Sequence, residues 1–274
     1  MYSRLIFIFA VVLMMSSASC SKQLVDDNTF QYSERGISRY LSEITEYVYP
    51  ISSFKKEVST ILFSKPDYDE TNRIVFAYIN LGEENAYKSY SYGDSEIVVS
   101  VSKADGSYEN CTYHLNNNII QDGIINTESD SHYYEYWYND ESQLVKILTT
   151  HGNKQTQVDI TWEDGNIINI KETSNTNHVT EEKYEYQHND KYKPSFSMFH
   201  LATLNLGVNT GIDQILSSEG YFGNTVSKDL PIKEFHMGSL SREFKYHIDK
   251  SGYISKIEQI GKKRIDREYN FYWK

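Results

Sequence analysis

The residues of this chain that could carry out acid–base chemistry are its carboxylates. Adjacent pairs stand at Asp26-Asp27 and Glu181-Glu182, and a close pair at Asp67 and Asp69. Glycosidases need two carboxylates across a cleft, which makes each pair a candidate for glycoside hydrolysis. All three pairs lie in polar, turn-like sequence, and an acidic chain contains such pairs by chance. The sequence therefore favours solvated turns and assigns no catalytic residue.

Metal-binding patterns are equally sparse. Asp67, Asp69 and Asn72 offer oxygen ligands at close spacing, but the glycine and the distal glutamate of a calcium loop are missing. The eight histidines include no pair at the helical spacing of zinc enzymes. We therefore expect no metal ion and no cofactor, and we predict that three histidines are ordinary sheet residues: His132, His188 and His247.

Cys111 stands beside Thr112 and Tyr113 in an alternating run. Lys and Arg, which would stabilise a thiolate, are missing from the neighbouring sequence, and His114 is the one nearby base. We predict a buried strand thiol. The sequence also lacks a Gly-rich phosphate loop, a nucleophile elbow and a dinucleotide fingerprint.

The N-terminal segment has the order of a secretory signal. Met1 to Ser19 places Arg4 before an apolar run from Leu5 to Met15, and small residues follow. That run is roughly half of the about twenty residues that a membrane-spanning helix needs. The segment before Cys20 resembles the lipobox of bacterial lipoproteins, in which the cysteine is acylated. We predict a signal peptide at 1–19, a lipidated tether at 20–36 and a single β domain at 37–274.

The charge of the chain limits its partners. A formal net charge of −11 disfavours nucleic acid, whose phosphates require basic patches, and disfavours anionic membranes. The lipid on Cys20 would therefore hold the protein to the membrane. We expect a lipid-anchored location at the outer membrane of the cell envelope, on its periplasmic face or at the cell surface. Asp26-Asp27 loosely resembles the surface-export signal of Bacteroides lipoproteins.

The body of the chain consists of predicted β-hairpins. Each unit has alternating aromatic residues, a turn with Asp, Asn or Gly, and alternating Ile, Leu or Val. Three units are complete, with turns at 139–142, 163–166 and 249–252, and a fourth begins at Tyr184 but does not finish. We count on the order of twelve to fifteen strands at usual lengths. A flat sheet of that size would be unstable at its edges, so it should roll up, close or split into a sandwich.

The strand pattern breaks between Pro194 and Pro231. The spacing of Ile212, Ile215 and Leu216 suits a short helix. We predict a short helical or irregular insertion near 196–220, packed against the rolled sheet. The expected fold class is all-β, a large antiparallel meander of hairpins rolled into a barrel-like sheet.

The aromatic ladders could bind a carbohydrate or peptide, or could simply stabilise the sheet through cross-strand pairs. Trp137 lies on the opposite strand face from Tyr136 and Tyr138 and is the better candidate for an exposed ring. The ligand-binding candidates are therefore Trp137, Tyr136 and Tyr138.

Several stretches resemble a known family: Asp159 to Ile167, Tyr221 to Gly223, Ser227 to Pro231, and Asp249 to Ile257. Together they are similar to the Bacteroidetes lipoprotein family of unknown function with a porin-like fold. The resemblance implies a rolled, barrel-like antiparallel sheet and a lipid anchor. It implies no activity and no catalytic residue.

Three functions stay open from the sequence. The favoured one is a non-enzymatic binding or structural module with a glycan or an envelope protein as partner. The first alternative is a hydrolase of envelope or dietary polysaccharide. The second is an integral outer-membrane channel, for which Tyr269, Phe271 and Trp273 resemble the aromatic ending of outer-membrane strands. The mean hydropathy of −0.58 argues against a channel.

Overall fold

The structure is a computed structural model that describes residues 41–49, 57–81, 84–127, 129–176, 178–192, 210–261 and 264–274. The predicted signal peptide at 1–19 and tether at 20–36 lie outside these residues, as does part of the predicted insertion. No helix in the described ranges is long and apolar enough to cross a bilayer.

Within these described ranges the fold consists of sixteen strands. They are β1 (Leu41–Val48), β2 (Glu57–Tyr68), β3 (Ile74–Leu81), β4 (Glu84–Tyr92), β5 (Glu96–Lys103), β6 (Tyr108–Asn116), β7 (Ile119–Asn126), β8 (Ser131–Tyr138), β9 (Leu144–His151), β10 (Lys154–Glu163), β11 (Asn166–Ser174), β12 (Val179–Gln187), β13 (Leu230–His236), β14 (Ser239–Ile248), β15 (Ile254–Gly261) and β16 (Arg264–Trp273). Among the described residues between β12 and β13 lies a short helix, α1 (Gln214–Ser218).

The strands form a closed antiparallel barrel in which each strand pairs with the next in sequence. The seam is the pairing of β1 with β16, where Leu41 lies opposite Trp273. Closure removes the sheet edges that an open meander would expose. The predicted all-β, rolled meander is thus confirmed, with sixteen strands instead of twelve to fifteen. The pattern break predicted to reach Pro231 hid the start of β13, where Pro231 is accommodated at a bulge opposite Tyr186.

Turn residues explain why the hairpins form where they do. Asp164 and Gly165 both have positive φ angles, as tight two-residue hairpin turns require. Wider turns begin with Asp or Asn, as at Asp249, whose Oδ1 accepts hydrogen bonds from the backbone N–H of Ser251 and Tyr253. The three predicted complete hairpins are confirmed as β8–β9, β10–β11 and β14–β15. Met237 also adopts a positive φ in a turn that its residue type did not signal.

Alternation along the strands separates the interior from the outer wall. In β5, Ile97, Val99 and Val101 are buried inside the barrel, while the intervening side chains point outward. The interior is lined mainly by Ile, Leu, Val, Phe and Tyr. The barrel is therefore built as a packed core.

An aromatic belt lines the inside of one end of the barrel. Each belt residue stands near the end of an even-numbered strand and donates a hydrogen bond to a backbone carbonyl near the start of the preceding strand. In six of the seven pairs, donor and acceptor are 15 to 19 residues apart in sequence. The belt consists of Tyr68, Tyr92, Tyr138, Trp162, Tyr186, Tyr246 and Trp273. We call this the belt end and the opposite one the far end.

Residues 210–218 of the insertion lie inside the barrel. The Tyr113 and Tyr136 hydroxyls donate to the carbonyls of Gly211 and Thr210, over 2.8 and 3.0 Å. Asp213 caps α1 by accepting the backbone N–H of Ile215, and it forms a buried ion pair with Lys88 of the wall at 3.1 Å. The predicted short helix in this segment is confirmed.

Residues 219–229 continue along the inner rim of the belt end. Their backbone groups pair with strand ends and turns: Ile120 N–H donates to the Tyr221 carbonyl, and Asn224 N–H donates to that of Ser142. Ser227 Oγ accepts Ile167 N–H at 2.9 Å. Backbone groups that a barrel rim would leave unpaired are satisfied in this way. Over the described residues the insertion therefore covers part of the inner rim at the belt end, and it extends beyond its predicted limit at 220.

Candidate binding surface on the outer wall

The three predicted ligand-binding residues lie on two faces of β8. Tyr136 and Tyr138 point inward, and their hydroxyls donate to the carbonyls of Thr210 and Ile120. Burial raises the pKa of both phenols. Trp137 points outward with 37% of its surface exposed. The structure therefore does not bring the three rings together, and Trp137 alone of them is available on the wall.

Trp137 on β8 lies beside a row of charged side chains that continues across β9, β10, β11 and β12. Lys146 lies opposite Trp137 and places its ammonium 4.7 Å from the ring centroid, a cation–π geometry. Along the row, Asp159 lies opposite both Lys146 and Lys171, and Lys171 lies opposite Glu181. Opposite charges thus alternate from strand to strand, which stabilises the pairing. The outer wall between β8 and β12 therefore carries a charged row with the Trp137 ring at its border.

A second group of outward aromatic residues lies on β3 and β4. The rings of Phe76 and Tyr87 are stacked with centroids 5.7 Å apart, and Tyr78 tilts against Tyr87 at 5.2 Å. Lys65 places its ammonium 5.7 Å from the Tyr87 ring. Tyr87 is 40% exposed. We call Phe76, Tyr78 and Tyr87 the wall cluster.

Polar side chains border the wall cluster. The Tyr78 hydroxyl donates to Asn85 Oδ1 at 2.9 Å. Ser89 lies opposite Phe76 on one side and opposite Ser100 on the other, and Ser102 lies opposite Tyr87. The serine side chains of β4 face outward because Ala86, Lys88 and Tyr90 between them are buried. The result is a set of flat rings beside hydroxyl and amide groups.

Sequence reasoning missed the wall cluster because Phe76 and Tyr78 share their parity with Ile74, which predicts a common inward face. An irregularity in the β2–β3 register lies at this strand end, and Ala77 and Ile79 are the buried residues. The signal that could have identified the cluster is the alternation in β4, where Tyr87, Ser89 and Ser91 share one parity.

The pair Glu181 and Glu182 does not form a dyad across a cleft. Glu181 and Glu182 are consecutive in β12 and therefore point to opposite faces. Asp69 caps a turn: although burial opposes it, hydrogen bonds from Arg73 and Thr71 lower the pKa of Asp69 to about 2. Asp26-Asp27 lies outside the described residues.

The histidines and Cys111 occupy mixed positions. His132 and His247 lie in β8 and β14 as predicted, whereas His188 lies just beyond the end of β12. The prediction of a strand position for His188 was wrong because β12 ends at Gln187, where the insertion begins. Cys111 is a buried thiol of β6, as predicted.

One buried carboxylate belongs to the insertion. Glu219 accepts a hydrogen bond from Ile74 N–H at 2.7 Å, and its second oxygen lies 2.8 Å from the Tyr92 hydroxyl, whose single proton is shared between Glu219 and the Ile74 carbonyl. Burial raises the pKa of Glu219 to about 7, although both hydrogen bonds act in the opposite direction. The rings of Tyr221 and Tyr92 are stacked with their centroids 5.6 Å apart. The guanidinium of Arg73 lies 4.3 Å from the centroid of the Tyr92 ring. These contacts fix the insertion to β3 and β4 and leave Glu219 as a structural group.

Comparisons with solved structures place this barrel among known folds. The chain is similar to a porin-like protein from Bacteroides uniformis ATCC 8492, with a TM-score of 0.56 and 14% identity over 85% of this chain and 98% of that one. It is similar to a porin-like protein from Bacteroides vulgatus ATCC 8482, with a TM-score of 0.55 and 13% identity over 86% of this chain and 98% of the other. At such identity the likeness concerns the fold alone.

No curated protein matches the chain. A family model described as a domain of unknown function (DUF4595) with porin-like fold matches residues 66–256, which is more than half of the sequence. The porin-like family expected from the sequence is thereby confirmed, while the lipid anchor stays a prediction. The chain belongs to this family of domains of unknown function with a porin-like fold.

Proposed function

We propose that this protein is a lipid-anchored, non-enzymatic binding protein of the cell envelope that holds a glycan against the outer wall of its barrel. The observation that carries the proposal is the wall cluster, in which Phe76, Tyr78 and Tyr87 lie together beside Asn85 and the serines of β4 and β5. Aromatic faces pack against the apolar faces of sugar rings, and hydroxyl and amide groups bond to sugar hydroxyls. The cluster offers both kinds of contact.

The row of charged side chains on the outer wall favours an outer surface that is exposed to water. A lipid-facing barrel needs an outward apolar band, and each Lys at the bilayer midplane costs about 2–4 kcal/mol. Here Lys146, Asp159 and Lys171 share the outward face of three adjacent strands. Together with the apolar interior and the insertion inside it, this wall disfavours the channel alternative.

The anchor in this proposal is the acyl group on Cys20. Of the two cysteines in the chain, Cys111 is buried in β6, which leaves Cys20 for modification. Metabolic labelling with palmitate should mark the full chain and its Cys111→Ser variant but not Cys20→Ser. Cys20→Ser should also move from the membrane fraction to the aqueous fraction of the envelope. Equal labelling of both variants would exclude the anchor.

Glycan binding is tested on an array of envelope and dietary polysaccharides. We expect retention by the wild-type protein and at least about a tenfold weaker interaction, roughly 1.4 kcal/mol, for Tyr87→Ala. Tyr272→Ala is the matched control because Tyr272 is 47% exposed on the wall near the seam, away from the wall cluster. Trp137→Ala reports whether the second ring contributes.

A hydrolysis screen on the same preparation separates binding from catalysis. Release of reducing sugars without retention would favour the polysaccharide hydrolase and overturn the binding proposal. Equal retention by wild-type, Tyr87→Ala and Tyr272→Ala proteins would move the binding site away from the wall cluster.

A further inference from the structure

We propose that Asp130, His132 and His151 form a binding site for a divalent transition-metal ion on the inner rim of the far end. One ligand atom from each side chain lies within 4.8 Å of the other two. The His132 and His151 rings are stacked with centroids 4.2 Å apart and planes 14° apart. His151 Nε2 contacts Asp130 Oδ2. Ligand atoms of three metal-binding side chains therefore lie together within one small volume.

The sheet register brings the two imidazoles together. Tyr133 of β8 lies opposite Thr150 of β9, and the next pair in that register is His132 with His151. His132 shares its parity with Tyr134, which points into the barrel. The two histidines thus form a cross-strand pair at the inner rim, where β8 begins and β9 ends.

Asp130 is held in place by the turn between β7 and β8. Its backbone N–H donates to Thr127 Oγ1 at 3.1 Å, and its Oδ1 accepts Ser131 N–H at 2.8 Å. The second oxygen, Oδ2, faces His151. A hydrogen bond to one carboxylate oxygen, such as the bond from Ser131 N–H to Oδ1, orients the other oxygen toward the ion in metal sites.

Other histidines that contact carboxylates lack this convergence. His114 meets Asp122, and His236 meets Glu182, each as a single pair. His188 contacts two aspartates, but it does so through opposite ring nitrogens, so the carboxylates do not surround one point. Within the part of the chain that the structure describes, the group at Asp130 is the one that brings together three such residues.

The donor set indicates the class of ion. Two imidazoles and one carboxylate suit Zn²⁺ and its neighbours in the first transition row, whereas Ca²⁺ and Mg²⁺ prefer oxygen ligands. Three protein ligands leave a fourth tetrahedral position for water or for an oxygen of a bound molecule. The carboxylate of Asp130 and the imidazoles would also join the β7–β8 turn to the β8–β9 pair.

The test is a calorimetric titration of the purified full chain, without a polyhistidine tag, with ZnCl₂. We expect one equivalent to bind, and at least about tenfold weaker binding for His132→Ala and for His151→Ala. Asp130→Asn should weaken binding as well. His114→Ala is the matched control, since it removes an exposed histidine that contacts a carboxylate outside this group.

Titration with Co²⁺ gives an independent readout through the visible d–d bands of the bound ion. We expect these bands in wild-type and His114→Ala proteins and their loss in His151→Ala, with far-UV circular dichroism unchanged. A thiolate charge-transfer band would place the ion at a cysteine and overturn the proposal. Wild-type protein that binds no stoichiometric Zn²⁺, or His132→Ala and His151→Ala proteins that bind like wild type, would do the same.

Discussion

The hydroxyl of Tyr138 donates a hydrogen bond to the backbone carbonyl of Ile120, 2.6 Å away, on the neighbouring strand of the barrel wall. This contact is one member of the aromatic belt, and it ties the end of β8 to the start of β7. Tyr138→Phe would leave a carbonyl without its donor at a largely buried place. We expect the free energy of unfolding to fall by about 1–3 kcal/mol in a urea titration.

Tyr133→Phe is the control for that measurement. Tyr133 is on the same strand with its ring on the outer wall, and 38% of its surface is exposed. The free energy of unfolding should change by no more than about 0.5 kcal/mol. Equal losses in the two variants would show that the belt hydrogen bonds do not stabilise the barrel.

Gly223 is a point of close approach between the insertion and the turn that joins β8 to β9. Its φ is +63°, and a Cβ atom there would lie 2.4 Å from the Ser142 carbonyl oxygen. Gly238 also has a positive φ, of +78°, but open space surrounds it. We expect Gly238→Ala to cost about 1–2 kcal/mol for the left-handed backbone, and Gly223→Ala to cost about 1–3 kcal/mol more for the clash. The urea unfolding midpoints of the two variants measure these losses. Equal midpoints for Gly223→Ala and Gly238→Ala would refute the close approach at Gly223.

Trp137 should be the most accessible of the three tryptophans. A variant with Trp162→Phe and Trp273→Phe keeps Trp137 as its one tryptophan. Its fluorescence should be quenched strongly by acrylamide, because the ring lies on the outer wall. A variant that keeps Trp162 should be quenched weakly, since that indole is part-buried and donates to the Leu144 carbonyl at 2.9 Å. Similar quenching constants would contradict the placement of Trp137.

Glu219 should make the stability of the protein depend on pH. Its pKa is raised to about 7 in the folded state, so the folded form binds the proton more tightly than the unfolded form. The stability that this group contributes is present below about pH 4.5 and is lost as the pH rises through about 7. Asp213, Arg73, Tyr92 and Tyr221 act on its charge and stay in place in the variant.

The measurement is the free energy of unfolding of wild-type protein and Glu219→Gln between pH 5 and pH 8. The free energy of unfolding of the wild-type protein should fall more steeply with rising pH, by up to about 1.4 kcal/mol per pH unit. The reason is that unfolding releases a proton from Glu219, which the Glu219→Gln variant does not carry. The difference between the two proteins cancels the titration of the histidines. Parallel curves would mean that Glu219 is already ionised in the folded protein at pH 5.

Local patterns were sufficient to predict the hairpins. Asp164-Gly165 and Asp249 are turn residues whose backbone angles and side-chain oxygens determine where a strand ends. The alternation in β8 correctly separated Trp137 from Tyr136 and Tyr138. Alternation does not reveal which of the two faces is inside, so it could not identify the two tyrosines as core residues.

These local patterns could not predict contacts between residues that are far apart in sequence. The rim contacts of Tyr221, Asn224 and Ser227 join segments far apart in sequence through backbone groups, which every residue type carries. The pairing of His132 with His151 required the register of β8 and β9, which depends on the turn at 139–143. Once that turn is assigned, parity alone brings the two imidazoles to the same rim.

The seam between β1 and β16 has a consequence for how this protein folds. Ser42 Oγ donates to the carbonyl of Tyr272, 230 residues further along the chain, whereas the other strand pairs join neighbours in sequence. Hairpins can assemble during synthesis or export, but the first and last strands stay unsatisfied until the whole polypeptide has arrived. A molecule that lacks β16, whether nascent or proteolysed, therefore exposes two unpaired strand edges. Its tendency to aggregate depends on how fast β16 pairs with β1 and β15.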